Sequence, residues 1–136
     1  MRVVLDTNII VFALIAPAGK PAAIMDAWLD GKFTLPTCAA LVEELRGTLH
    51  KPRVAELVKP HKVGRLVNLV QKLAEDIDPL PSVERSPDPT DDFLLALSEA
   101  GDADYLVTGD KSGLLRLGRH KAMRIVSAGE FAALLT

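Results

Sequence analysis

Cysteine is nearly missing from this chain: Cys38 is the only one in 136 residues. A lone thiol excludes an intramolecular disulfide, a CxxC redox pair and a cysteine knuckle for zinc. A cytoplasmic location is the expectation that follows. Aromatic residues are scarce too, at one Trp, one Tyr and four Phe. Most are spaced like core residues, so they do not support a surface that stacks bases. Charge of one sign is not in excess, since 16 Lys and Arg stand against 18 Asp and Glu. That excludes a polycation coating nucleic acid through bulk charge. Long apolar runs are also lacking. Val3 to Ile15 is largely apolar, but Asp6, Thr7 and Asn8 interrupt it. It therefore falls short of the roughly 18 uninterrupted residues of a membrane span. It also lacks the unbroken apolar region of a signal peptide, and no membrane role is expected. No internal repeat or low-complexity tract is present.

What is present fits one globular domain over residues 1–136, with 49% apolar and 25% charged residues. Val3-Val4-Leu5 is expected to be a strand buried on both faces, followed by a helix around Ile9 to Ala13 that ends at Pro17-Ala18-Gly19. A second helix is predicted from Pro21 to a glycine stop at Gly31, and a strand over Phe33–Leu35 ending at Pro36. Thr37 is placed to cap a helix running to about His50, and another helix covers about His61 to Ala74. A brief strand is expected near Ile77, then a proline-rich loop from Ser82 to Pro89. The last third predicts helix Asp92–Ala100, strand Tyr105–Val107, a turn at Gly109-Asp110, helix Leu114–Gly118, strand Arg124–Val126 and helix Ala128–Leu134. Alternating strands and helices imply parallel pairing through right-handed crossovers, hence a three-layer α/β sandwich. Chemistry in such sheets sits at the carboxyl ends of the strands.

Four acids fall where that rim would lie. Asp6 directly follows the first strand, and Asp110 follows the strand Tyr105–Val107 after Thr108 and Gly109. In the helix opening at Thr90-Asp91-Asp92, Phe93, Ala96, Leu97 and Ala100 mark the expected inner face. Asp92 lies nearer that face than Asp91, which is expected to cap the helix or face water. In the helix that follows Thr37, Leu41, Leu45 and Leu49 form the stripe, and Glu44 borders it more closely than Glu43, a surface charge. Plain alternatives exist for the others. Asp6 could cap the next helix, Asp110 could serve a turn, and Asp88 could be a loop residue beside Pro89. Converging carboxylates repel unless a cation sits among them, and all-oxygen ligands favour a hard ion such as Mg²⁺ or Mn²⁺. His50, His61 and His120 are scattered and are expected at the surface rather than as ligands.

Four segments together carry a resemblance: Val4-Leu5-Asp6-Thr7-Asn8, Glu43-Glu44-Leu45, Asp88-Pro89-Thr90-Asp91-Asp92 and Val107-Thr108-Gly109-Asp110. In this order and spacing the chain resembles the PIN-domain nucleases, nearest to the VapC-like toxin components of toxin-antitoxin systems. The resemblance implies a three-layer α/β/α fold with a five-stranded parallel sheet in order 3-2-1-4-5. It implies Mg²⁺- or Mn²⁺-dependent hydrolysis of RNA, with Asp6, Glu44, Asp92 and Asp110 as the metal-binding, catalytic acids. Asn8 and Thr108 match supporting polar residues, and Asp88 stands as an additional candidate acid. Relatives often carry a further acid where this chain has Ser112, so the resemblance carries one metal more firmly than two. A cognate antitoxin and a homodimer are the partners it implies.

Charge placement suits an RNA substrate better than the total does. Arg46 to Arg65 holds six Lys or Arg and one acid, and Lys111 to Arg124 holds five and none. Between them, Glu75 to Asp104 holds ten acids and only Arg85. Arg46, Lys51, Arg53 and Lys111 are the candidate RNA contacts. The competing expectation is a PIN-fold module that binds RNA or protein without cleaving. A haloacid-dehalogenase-like phosphotransferase is disfavoured, because it needs an acid where Asn8 stands.

Overall fold

The computed structural model describes residues 1–136. In chain order the elements are β1 Val3–Leu5, α1 Thr7–Ile15, α2 Lys20–Leu29, β2 Pro36–Thr37, α3 Ala39–Leu49, α4 Pro52–Ala55, α5 Pro60–Leu73 and β3 Glu75–Asp76. A 3-10 turn Pro89–Asp91 then leads into α6 Asp92–Ala100. β4 Tyr105–Val107, α7 Leu114–Leu117, β5 Arg119–His120, β6 Met123–Val126 and α8 Ala128–Leu134 complete the chain. α2 stops where Gly31 takes φ 79°, a conformation that glycine enters without strain. α8 starts with a reciprocal cap, in which the Ser127 hydroxyl accepts from the Glu130 N–H and the Glu130 carboxylate accepts from the Ser127 N–H.

One sheet runs β1-β4-β6-β5, and β2 pairs separately with β3. A single parallel bridge between Arg2 and Thr34 joins the two sheets. There Val3 N–H donates to Thr34 O and Thr34 N–H donates to Met1 O, each at 2.9 Å. The Arg2 guanidinium also reaches across to Glu75 on β3, with two bonds of 2.8 and 3.0 Å. The spatial sequence β3-β2-β1-β4-β6 follows the expected order 3-2-1-4-5, with β6 as the fifth strand expected.

The expectation of five continuous parallel strands needs two corrections. The ladder narrows to one bridge between β2 and β1, because the second strand forms at Pro36–Thr37 rather than over Phe33–Leu35. At the other edge, β5 adds an antiparallel strand to β6, through a tight turn in which Lys121 takes φ 53°. His120-Lys121-Ala122-Met123 has none of the Asn-Gly or Gly signals that announce such a hairpin. Thr37 does not cap α3 either. Cys38 occupies the N-cap, and the Thr37 hydroxyl is buried without a partner.

Val3, Val4 and Leu5 are all fully buried. Successive strand residues face opposite sides, so both faces of β1 are covered. α6 lies against β1, β2 and β4, while α1 packs on α2 and α3. One hydrophobic cluster runs through these layers, and Phe131 of α8 meets Phe33 edge-on at 5.5 Å between ring centroids. No single helix is long and apolar enough to cross a membrane.

Candidate active site

β1 and β4 are in parallel register with Leu5 beside Val107, so Asp6 and Thr108 leave the sheet side by side. Asp6 is 8% exposed and Thr108 is fully buried. The Thr108 hydroxyl donates to Asp6 Oδ2 at 2.7 Å and accepts from the Asp110 N–H at 3.1 Å. One hydroxyl thus spaces two acids that are distant in sequence. Asp6 occupies the N-cap position of α1, but its carboxylate makes no capping hydrogen bond.

Asp110 has two tasks. Its Oδ1 accepts from the Gly113 N–H and its Oδ2 from the Leu114 N–H, each at 3.1 Å, which shapes the turn into α7. It also lines a cavity of about 360 Å³ together with Asp6, Asn8, Glu44, Asp88, Asp91 and the apolar Ile9 and Phe12. Gly113 makes this possible, since a Cβ there would come within 2.0 Å of Asp110 Oδ2. On α3, Leu41, Leu45 and Leu49 are buried as expected, and Glu44 lines the cavity whereas Glu43 does not.

At the start of α6 the structure departs from the expectation for Asp92. Asp91, not Asp92, lines the cavity. The Asp92 carboxylate turns back to the preceding loop, where its Oδ1 accepts from the N–H groups of Arg85 at 3.1 Å and Ser86 at 2.8 Å. The physical reason is the phase of the helix. On the helix wheel Leu94, Leu95 and Ser98 cluster on the side opposite Phe93, which is only half-buried, and Ala100, which is exposed. Asp91 stands three and four residues before Leu94 and Leu95, so it shares their face. Ser98 hid this pattern, because a serine does not announce a core position; it satisfies itself by donating to Leu94 O at 2.7 Å. Asp88 enters the cavity as well. Its Oδ1 accepts from the Thr90 N–H and hydroxyl, fixing the 3-10 turn that presents Asp91.

The cavity therefore gathers five carboxylates and no Lys or Arg. Three of these acids, Asp6, Glu44 and Asp91, are harder to ionise in this setting. Burial raises the Asp6 pKa, against the pull of the Thr108 hydroxyl and of the Asn8 and Thr7 backbone N–H groups. Burial and the Asp6 charge raise Glu44, against the pull of Lys51. Asp91 is pushed up to about 6, by burial first and then by Asp6, Asp88, Asp110 and Glu44. Asp92 moves the other way, because the Ser86 and Arg85 donors favour its charged form. Clustered oxygen donors that repel one another suit a hard divalent cation. As the side chains stand, no three of them surround a single point at ligand distance.

Among the candidate RNA contacts, Arg46, Lys51, Arg53 and Lys111 are all exposed and none lines the cavity. Lys51 comes near enough to Glu44 to act on its charge. His50 and His61 are exposed as expected, but His120 is only 6% exposed and bonds to Arg85 and Glu99. A separate, mainly apolar cavity of about 440 Å³ between α1, α2 and α5 holds no acidic cluster.

Comparison with known proteins agrees with this architecture. Residues 2–112 match the family profile described as PIN domain. An uncharacterised protein of Methanocaldococcus jannaschii, MJ1680, is 23% identical over 126 residues, covering 92% of this chain and 81% of that protein. The crystal structure of VapBC2 from Rickettsia felis, bound to a DNA fragment from its promoter, superposes with a TM-score of 0.58 at 15% identity. That match covers 93% of this chain and 98% of the other.

Proposed function

Because this chain belongs to the PIN-domain family, we propose that it is a Mg²⁺- or Mn²⁺-dependent endoribonuclease acting in the cytoplasm. Asp6, Glu44, Asp91 and Asp110 are its metal-holding acids, with Asp88 beside them. The observation that carries this reading is the cavity itself, which collects five carboxylates at the carboxyl ends of β1 and β4 without one balancing base. Left bare, such a pocket would repel a phosphodiester. A divalent ion bound there supplies charge neutralisation and an acidified water. The chain's own contribution is placement. Thr108 sets Asp6 and Asp110 apart by a shared hydroxyl, and the 3-10 turn brings Asp91 to the same cavity. Asn8 adds a neutral polar group at the rim, suited to orienting a substrate oxygen. Lys51, Arg46, Arg53 and Lys111 offer positive charge outside the acids, where the RNA backbone would approach.

The biological role proposed is the toxin of a toxin-antitoxin pair, held in check by a cognate antitoxin and able to homodimerise. Its support is the shared fold with a VapBC2 assembly.

The test is cleavage of total RNA by purified protein with Mn²⁺ or with a chelator. Cleavage should require the metal, and Glu44→Gln should lower it by about 100-fold, while Glu43→Gln should leave it within about 2-fold. Equal effects at both positions would remove Glu44 from the site. Metal-independent cleavage would refute the metal mechanism, and no cleavage of any RNA would favour a binding module.

A further inference from the structure

The loop before the 3-10 turn is fastened at two points. Its backbone is held by Asp92, whose Oδ1 accepts from the Arg85 and Ser86 N–H groups; the Ser86 hydroxyl lies 2.8 Å from the same oxygen and also against Asp88 O. Its side chain is held by the β5–β6 hairpin. Arg85 Nη1 donates to Arg119 O at 2.8 Å and to His120 Nδ1 at 2.8 Å. A guanidinium can only donate, so Nδ1 must accept, which leaves the proton on Nε2 to be donated to Glu99 Oε1 at 2.7 Å. Lys121 closes the group with a 3.1 Å contact to the same Glu99 oxygen. Glu99 belongs to α6, so the edge hairpin is anchored on the helix that begins beside Asp91.

The chain between these fastenings and the cavity is short. Asp88 lies two residues beyond Ser86, and Asp91 directly precedes Asp92. Both carboxylates must be kept in a pocket where three others repel them. We infer that Arg85, Asp92 and His120 are positioning residues, which tie the 84–91 segment to β5 and α6 and so hold Asp88 and Asp91 against that repulsion for metal binding. The inference rests on the metal-dependent reading of the acid cluster. It gives work to Asp92, to a buried histidine and to the β5 edge strand, none of which touches the cavity.

The experiment uses the full chain, with Mn²⁺ as the probe, well below the melting temperature. Arg85 is exposed, so its replacement spares the core. Arg85→Ala should weaken Mn²⁺ binding by about 10-fold and lower kcat on RNA by a similar factor, as loss of an outer-shell contact does. It should also speed amide exchange at residues 84–91. Arg85→Lys keeps donors for Arg119 O and His120 and should recover most of the affinity. Charge alone predicts the opposite sign, because removing a cation near the site should tighten binding of another cation. His120→Ala should resemble Arg85→Ala, and the double variant should lose little more than either.

Unchanged Mn²⁺ affinity and kcat in Arg85→Ala, with only a lower melting temperature, would overturn the positioning role while leaving the nuclease reading intact. Weakened Mn²⁺ binding in a protein that cleaves no RNA would support the tie and refute the nuclease. A wild-type protein that takes up no Mn²⁺ would overturn both.

Discussion

Asp91→Asn should reduce RNA cleavage by about 1,000-fold, whereas Asp92→Asn should cost about 10-fold. The two carboxylates are neighbours in sequence and opposite in circumstance. Asp91 faces Asp6, Asp88, Asp110 and Glu44 across the cavity, and burial among them pushes its pKa to about 6. Asp92 is satisfied by Arg85 and Ser86 and its pKa is lowered. An amide at position 91 removes a charge that a divalent ion would need. An amide at 92 can still accept from one backbone N–H and should loosen only the loop. Mn²⁺ affinity measured on both variants separates the effects, with the larger loss at Asp91. The reverse ranking would mean that the α6 phase seen here is not the working one.

Asp6→Asn should abolish cleavage to a similar extent, about 1,000-fold, and should make the metal-free protein more stable. Asp6 is the most buried of the acids, and its pKa is raised despite the Thr108 bond. An asparagine can still accept the Thr108 hydroxyl but carries no charge to desolvate. Asp91→Asn should bring a gain of the same kind with a defined pH dependence, because the folded pKa of Asp91, about 6, exceeds its ordinary 3.8. The folded state binds more protons between those values, so metal-free stability falls as pH rises from 3.8 to about 6. Neutralising Asp91 should therefore do nothing for stability below that window and should stabilise fully above it. Because this carboxyl is partly exposed, solvent screening limits the gain to about 1 kcal/mol, or about 3 °C in melting temperature. Differential scanning calorimetry with chelator present measures both variants. Variants that lose activity and stability together would point to a structural role for these acids instead.

Much of the fold was legible because it rests on local signals. The helix Asp92–Ala100, the strand Tyr105–Val107 and the helix Ala128–Leu134 have the bounds their composition implies. The edge hairpin was not, since Arg119 and His120 pair with β6 through a turn without glycine or asparagine. Within the site, Asp6 and Asp110 were readable from their places after strands, and Glu44 from a clean leucine stripe. Asp91 was missed for a specific reason. The residues Leu94 to Ser98 are all buried, so apolarity alone does not give the helix phase, and Ser98, on the side of Asp91, adds no apolar signal. The burial of His120 has no local signal, because it depends on Arg85 and Glu99, which are 35 and 21 residues away.

Calorimetric titration of Mn²⁺ into metal-free protein, at about pH 7.5 and again at about pH 5, puts the acid cluster to the most direct trial. One carboxylate of pKa about 6 and two others raised by burial must release protons before they can bind an ion. Binding should be measurable at the higher pH and at least about 10-fold weaker at the lower. Equal affinity at the two pH values, or no uptake by folded protein at either, would contradict the account.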